Sequence, residues 1–307
     1  WLTENYNWRW VFYVNLPIGI LTLGLLWWLL PARPRTPRSF DMLGFAMLAL
    51  GLGAFQLMLD RGQQEDWLQS SEILIYLGLT VAAIWVFLVH MATAKEPLFD
   101  RQLFRNRNFM IGTFVMIFIG ISSMAPMSLL PLFLQQLLGY PVIDTGLVTA
   151  PRGLGTILTM WIAGQLMGKI DVRYMVFGGL LIYAWSLWSM SHWSLEVDRF
   201  HIILAGIVQG LAIGFVFMPL NAIAFATLPG ALRPDGASVF NLMRSVGGSV
   251  GISLVTTFLA RNVQTAHSDL ASHVTDAQLP PLLSGLSSLG DSAYAFIDAE
   301  VNRQALM

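Results

Sequence analysis

The 307-residue chain contains no cysteine, and only 11% of its residues are charged. Without cysteine it cannot form a disulfide, a thiolate zinc site or a cysteine nucleophile. Soluble domains carry about a quarter charged residues, so this scarcity of charge disfavours a soluble enzyme. The net charge is -1, and the cationic residues are scattered, which excludes a polybasic surface for nucleic acid.

Apolar residues are abundant instead. They make up 55% of the chain, which includes 19 Phe and 11 Trp. A bilayer core of about 30 Å is crossed by roughly twenty apolar helical residues. Eight stretches meet this requirement, and we predict a membrane span in each: residues 11–30, 42–59, 73–94, 108–143, 146–168, 174–195, 200–232 and 237–260. The predicted fold class is therefore an all-α integral membrane protein with eight transmembrane helices.

Lys and Arg residues in the connecting loops predict the orientation of these helices. The loops on one side hold ten, including those of the run RPRTPR at 33–38, and the loops on the other side hold five. Cytoplasmic loops carry the excess of positive charge. The side with ten is therefore predicted to be cytoplasmic, and both ends of the chain are predicted to be external.

From the ends of the chain we expect a fragment. The first residue is Trp1 rather than Met, and the chain closes on the polar run DAEVNRQALM. A bacterial polytopic protein usually begins in the cytoplasm, so an external start indicates an odd number of spans upstream. A signal peptide that has been removed is the alternative explanation.

Five motifs occur along the chain in a recognisable order. They are NWRWVFYVNLPIG, FQLMLDRGQQEDW, PLFDRQLFRNRNF, FMPLNAIAFATLP and NLMRSVGGSVG. In order and spacing the chain resembles the drug:proton antiporters of the EmrB/QacA type, a fourteen-span branch of the major facilitator superfamily. The resemblance extends over almost the whole chain and implies eight helices of a fourteen-helix fold, truncated at both ends.

The resemblance also implies a division of the chain and a function. Residues 1–30 would hold the last helix of the N-terminal six-helix half, 31–107 two inserted helices, 108–260 five helices of the C-terminal half, and 261–307 a periplasmic loop. The implied function is proton-driven export of hydrophobic or amphipathic toxic compounds across the bacterial inner membrane by alternating access. The resemblance implies no cofactor, because the proton gradient drives transport. The carboxylates that couple proton movement to transport would lie on the early spans of the family fold.

The resemblance implies partners as well. It implies that the protein contacts the lipid bilayer and small hydrophobic substrates. Gram-negative members of the family also work with a periplasmic adaptor and an outer-membrane channel.

Two other functions stay open at this point. A membrane-embedded enzyme for lipid-linked substrates would need paired acids or a phosphate-binding loop, which the sequence lacks. A membrane sensor without transport activity is the other.

The loop GQLMGKIDVR is similar to the superfamily's cytoplasmic signature G-x-L-x-D-R-x-G-R-R. Gly164, Lys169 and Arg173 agree in kind, while Gly168 replaces the expected acid and Asp171 the second glycine. This incomplete match leaves a charge-relay role doubtful. The alternative is a tight turn between two helices with cytoplasmic basic anchors.

Arg244 lies inside the last predicted span, about 10 Å from its start at helical rise. A guanidinium near the centre of a membrane helix costs roughly 2.5–3.5 kcal/mol on insertion scales, so it is expected to face a wet cavity or a partner. Asn241, three residues earlier, shares its face. The pair is a candidate for substrate binding or gating, and a structural role at the cytoplasmic mouth is the alternative.

The adjacent GGSVG matches the G-x-S-x-G pattern of a hydrolase, but Ser249 lies within a predicted membrane helix, where a nucleophile elbow cannot form. Gly247 and Gly251 are four residues apart, a spacing that lets two helices approach closely. Helix packing is therefore the predicted role of this segment.

Interrupted helices suggest a substrate cavity. Prolines 126 and 131 interrupt the fourth predicted span and should kink it, and broken helices often line transport sites. Polar or flexible side chains on this span and on the seventh are candidates to line the cavity: Ser122, Ser123, Met124 and Met127 on the fourth, and Gln209, Met218 and Asn221 on the seventh. Simple packing is the alternative for each.

Arg152, near the predicted external end of the fifth span, is a further candidate. It either attracts substrate at the outer mouth or reaches the membrane interface by its own length. His90, His192 and His201 lie at or near span ends without the spacing of metal ligands, so no metal site is assigned.

Overall fold

The computed structural model of the chain describes residues 2–29 and 39–273, with side chains described up to residue 265 except that of residue 4. Over these ranges the chain forms helices and no β-strand, with one isolated bridge between Met167 and Ile170. A helix satisfies its own backbone hydrogen bonds, which a bilayer core requires. The predicted all-α class is confirmed.

The residues before Asp41 form a separate unit. Aromatic side chains pack along its start, where the Trp10 and Tyr13 rings meet edge to face at 6.0 Å and the Arg9 guanidinium lies 5.0 Å from the Trp8 ring centre. Such rings suit a membrane interface. The helices of this unit are α1 (Leu2–Asn5), α2 (Trp10–Tyr13) and α3 (Asn15–Leu29).

The second unit begins at Asp41 with a helical hairpin. Its helices are α4 (Met42–Arg61) and α5 (Ser71–Thr93), and they pack against each other. The turn between them contains two non-glycine residues with positive φ, Asp66 and Trp67, both at 52°. The hydroxyl of Ser253 donates to the Leu59 carbonyl at 3.1 Å, which joins the hairpin to a later helix of the unit.

The rest of the second unit is a bundle. The last helix of its described part, α12, packs against α7, while α9 and α10 pack against α11. A five-residue π-helical turn, Phe133–Leu137, follows α7. The helices are α6 (Arg101–Arg105), α7 (Arg107–Leu132), α8 (Val142–Thr149), α9 (Pro151–Leu166), α10 (Val172–Met190), α11 (Arg199–Ala226) and α12 (Arg233–His273).

Two buried apolar clusters close the ends of this bundle. One contains Leu103, Phe109 and Phe240, and the other contains Leu134 and Ile202. Helix α7 contributes to both, so its middle, around residues 117–127, lies between them. The candidate residues of α7 occupy this middle section.

The predicted count of eight spans is not confirmed. Six described helical stretches are long and apolar enough to cross a membrane: Trp10–Leu29, Met42–Arg61, Ser71–Thr93, Arg107–Leu137, Arg199–Ala226 and Gly230–Thr265. The predicted span 146–168 is divided at Ala150, before a proline that has no N–H to donate, into α8 and the 16-residue α9. The predicted span 174–195 corresponds to the 19-residue α10, whose Arg, Trp, Tyr and Ser content lowers its apolar character.

Asp41 fixes one end of the helical hairpin. Its carboxylate, 8% exposed, accepts hydrogen bonds from the Gly44 N–H at 2.8 Å and the Leu98 N–H at 3.0 Å, and lies 2.8 Å from His90 Nε2. Burial alone would raise the pKa of Asp41, but the hydrogen bonds from Gly44 and His90 outweigh it, so that the pKa lies below its usual value. One side chain thus ties the start of α4 to the end of α5 and to the loop that follows.

We expect Asp41→Ala to lower the free energy of unfolding by about 1–3 kcal/mol, because two backbone N–H groups lose their acceptor. A carboxyl whose pKa is lowered by folding contributes stability above its unfolded pKa, about 4, and loses it as the pH falls through the folded value. Thermal unfolding of both proteins should therefore show a constant gap at neutral pH that shrinks in acid.

Asp60→Ala is the matched control, since the exposed Asp60 accepts a hydrogen bond from Gln56 at 2.9 Å on its own helix. Its effect should stay within about 0.5 kcal/mol. A gap between wild type and Asp41→Ala that widens in acid would contradict this account of Asp41.

Candidate functional site

Helices α7 and α12 touch through glycine. A Cβ atom built on Gly247 would collide with the Ile117 carbonyl oxygen, and one built on Gly251 with the Ile121 carbonyl oxygen. In the other direction, a Cβ on Gly120 would collide with the Arg244 carbonyl oxygen. The structure therefore places the paired glycines of α12 on the face that packs against the middle of α7.

The GGSVG segment has no arrangement for nucleophilic chemistry among the described residues. The Ser249 hydroxyl donates to the Ser245 carbonyl at 3.2 Å, one turn earlier on α12. Gly248 faces the Met124 side chain, whose Cγ would lie 2.7 Å from a Cβ on that glycine. Met124 thus packs into the helix contact.

Arg244 and Asn241 are not joined to each other. The Asn241 amide is exposed and donates to the Ala237 carbonyl at 3.0 Å. Arg244 is half-buried, and its buried Nε has no hydrogen-bond partner within the described part of the chain. A buried donor without a partner costs about 1–3 kcal/mol. The shared face predicted for the two residues does not bring their polar groups together.

Ser122 and Ser123 line an apolar cavity of about 260 Å³. Their hydroxyls donate to α7 itself, that of Ser122 to the Phe118 carbonyl at 2.8 Å and that of Ser123 to the Gly120 carbonyl at 3.4 Å. The other residues that line this cavity are mostly apolar side chains of α7, α10 and α11: Phe114, Val115, Phe118, Ile119, Leu180, Tyr183, Ile213 and Val216. We call it the apolar chamber.

Tyr183 was not singled out from the sequence. Its hydroxyl donates to the Ser122 main-chain carbonyl at 2.8 Å and so bridges α10 and α7. The available signal was a phenol in the middle of a mostly apolar helix, since a buried Tyr hydroxyl requires a partner. Tyr183 forms one wall of the apolar chamber.

A second cavity of about 540 Å³ lies among α7, α8, α9 and α11, and we call it the Arg152 cavity. Arg152 is half-buried, and it is the one charged residue among the fourteen that line this cavity. Met127, 61% exposed, lines it too. Ile213 lines both cavities, so the two are neighbours.

The three candidates on α11 have different surroundings. The buried Gln209 amide lies 4.0 Å from the Met190 sulfur, and the Asn221 amide donates to the Phe217 carbonyl at 2.7 Å. Met218 faces Gly164 of α9. None of the three lines the apolar chamber or the Arg152 cavity.

The loop between α9 and α10 is a tight turn. Gly168 has a φ of +94°, which favours glycine, and the exposed Asp171 carboxylate caps α10 by accepting from the Arg173 N–H at 3.0 Å. The side chains of Lys169 and Arg173 are exposed. Asp171, which replaces a glycine of the family signature, thus acts here as a helix cap.

A family model described as Major Facilitator Superfamily matches residues 1–252. The chain is 34% identical to the multidrug export protein EmrB of Haemophilus influenzae over 278 residues, 89% of this chain and 54% of the relative. It is 32% identical to EmrB of Escherichia coli over 315 residues, 100% of this chain and 62% of the relative.

A third relative is the fatty acid resistance protein FarB of Neisseria gonorrhoeae, which is 33% identical over 299 residues, 95% of this chain and 58% of the relative. The chain therefore spans between 54% and 62% of the length of these relatives.

We expect Gly247→Ala to destabilise the bundle by about 1–3 kcal/mol, because the added methyl group meets a backbone carbonyl that cannot rotate away. Gly178→Ala in α10 is the matched control, since a Cβ there meets nothing within 4 Å. Alanine favours a helix over glycine by about 0.5–1 kcal/mol, so the control should be neutral or stabilising. Thermal unfolding in detergent measures both, and equal shifts would contradict the close contact.

Proposed function

This chain belongs to the Major Facilitator Superfamily, and from that premise we propose that it acts in the export of hydrophobic or amphipathic toxic compounds. The observation that carries the proposal is the pair of adjoining, partly open cavities in the second unit. Ligand sites are concave and mostly apolar with a few placed polar groups. The apolar chamber and the Arg152 cavity together have that character.

The names of the relatives support the same class of substrate. Two are named multidrug export proteins, and a third is named for fatty acid resistance. Those names describe the relatives, which are longer than this chain. For this chain, transport rather than enzymatic catalysis is our proposal.

Alternating access is the proposed mechanism. The glycine contact should make α7 and α12 move together, because a packed backbone interface does not deform continuously. Beyond the contact, Pro126 and Pro131 remove backbone donors from α7, and the helix passes into the π-helical turn. This end of α7 is therefore the segment that we expect to bend when the cavity opens and closes.

Proton coupling is part of the proposal. Every described acidic side chain lies in a loop or near a helix end, as Asp144 does in the first turn of α8. A carboxylate that titrates during transport has to lie inside the membrane. We therefore propose that the coupling acids belong to early spans of the kind that the family resemblance implies.

The proposed location is the bacterial inner membrane, and a periplasmic adaptor and an outer-membrane channel are proposed partners. The long apolar helices support the membrane location, and the proposed partners are those that the family resemblance implies. The helical hairpin α4–α5 would then have its Asp41 end in the cytoplasm.

We expect cells that express the complete coding sequence to accumulate less Nile red than cells with an empty vector, and a protonophore to abolish the difference. Ile213→Trp should reduce efflux severalfold at equal expression, because the indole fills the space where the two cavities adjoin. Ile157→Trp is the matched control, since the Ile157 side chain is 68% exposed on α9. Efflux that needs ATP and ignores the protonophore would contradict the proposal.

The proposed orientation can be tested with single cysteines, because this stretch of sequence has none of its own. Gln64 lies in the turn after α4 and Gln102 in α6, and both are exposed. In a cysteine-free background, a membrane-impermeant maleimide should label Gln64→Cys in intact cells, and Gln102→Cys only after lysis. The reverse pattern would show that the positive-inside assignment is wrong.

A further inference from the structure

Arg152 presents a cationic side chain to a cavity without an anion. Its guanidinium forms no salt bridge and donates no hydrogen bond to any described residue. A charge in an apolar region is costly unless it is paired or hydrated. The cavity thus contains five N–H donors that the described chain does not use.

The neighbouring polar groups are already engaged. Asp144, the acid on the helix before Arg152, pairs with Arg199 at 3.4 Å. The Thr149 hydroxyl donates to the Thr145 carbonyl at 2.8 Å, and the Thr156 hydroxyl donates to the Arg152 carbonyl at 3.1 Å. Of the polar side chains that line the cavity, the Arg152 guanidinium is the one with its donors free.

The position of Arg152 is fixed by its backbone. A Cβ on Gly210 would collide with the Arg152 carbonyl oxygen, and the Arg152 Cβ lies 3.8 Å from the Cβ position of Gly206. Two glycines of α11 therefore hold this residue of α9 in close contact. A cation on such a rigid support is preorganised, which reduces the cost of binding a ligand.

The apolar chamber adjoins this cation. The Tyr183 side chain is part of the chamber wall. The Phe114 and Phe118 side chains, 61% and 54% exposed, also line the chamber, and Ile213 lines both cavities. A molecule with a charged head and an apolar tail matches this succession of surfaces.

We propose that Arg152 binds the head group of an amphipathic anion, such as a carboxylate, whose apolar tail occupies the chamber lined by Phe114 and Phe118. Arg pairs with a carboxylate through two parallel hydrogen bonds, so Arg152 would set the preference for anions over neutral or cationic amphiphiles. The inference rests on the proposed export function, because it assigns a substrate class to that same site.

The test is equilibrium binding to the purified product of the complete coding sequence in detergent, with three probes of equal chain length: decanoate, decanol and decyltrimethylammonium. Arg152→Met should weaken decanoate binding by about tenfold or more, the usual effect of losing a hydrogen bond to a charged group. Decanol binding should stay within about twofold, and the cation should bind equally or more tightly.

Two further variants control for charge and folding. Arg152→Lys keeps the charge without the paired donors, so its decanoate affinity should lie between wild type and Arg152→Met. Arg105→Met removes an exposed cation of α6 that lines neither cavity, and it should leave the ratio of decanoate to decanol affinity unchanged. The unfolding temperature of each variant shows whether it is folded.

Equal losses of decanoate and decanol in Arg152→Met, or no loss of decanoate, would overturn the inference. Nile red efflux with no selective effect of Arg152 on anion binding would leave the export function standing and refute this site. A selective loss of decanoate binding in a protein that exports nothing would support the site and refute export.

Discussion

Direct contact between helix backbones at glycine is the interaction on which the second unit depends. Inside a bilayer, apolar side chains gain little by leaving lipid for protein, so helices associate through close van der Waals packing. The contact of Gly247 with the Ile117 carbonyl joins α12 to α7, and that of Gly210 with the Arg152 carbonyl joins α11 to α9. These contacts determine where the cavities lie and which side chains line them.

The sequence was sufficient to predict the helical, membrane-spanning character of the chain, because the length of an apolar run reports directly on the bilayer thickness. It also indicated that Gly247 and Gly251 share one face, since residues four apart do so on any helix. The number of spans was harder to predict. Whether residues 142–166 form one long helix depends on how the chain passes Pro151, and apolar composition does not report on this.

The candidate site was predicted less completely, for a physical reason. A sequence gives the spacing of side chains around a helix but not the rotation of that helix against its neighbours. Asn241 and Gln209 were therefore chosen as cavity residues, although Asn241 bonds to its own helix and Gln209 is buried beside Met190. Tyr183 was missed, because its hydroxyl donates a hydrogen bond to a main-chain carbonyl that lies 61 residues away in the sequence. Asp41 was missed likewise, since its partners His90 and Leu98 meet it only in the folded hairpin.

The central claim is that this chain belongs to a transporter that exchanges an amphipathic substrate for protons. The most direct measurement is proton movement in vesicles that contain the purified product of the complete coding sequence, a pH-sensitive dye and no ATP. Addition of a transported substrate should change the internal pH, and the change should require the protein. Substrate movement without any movement of protons would contradict the account.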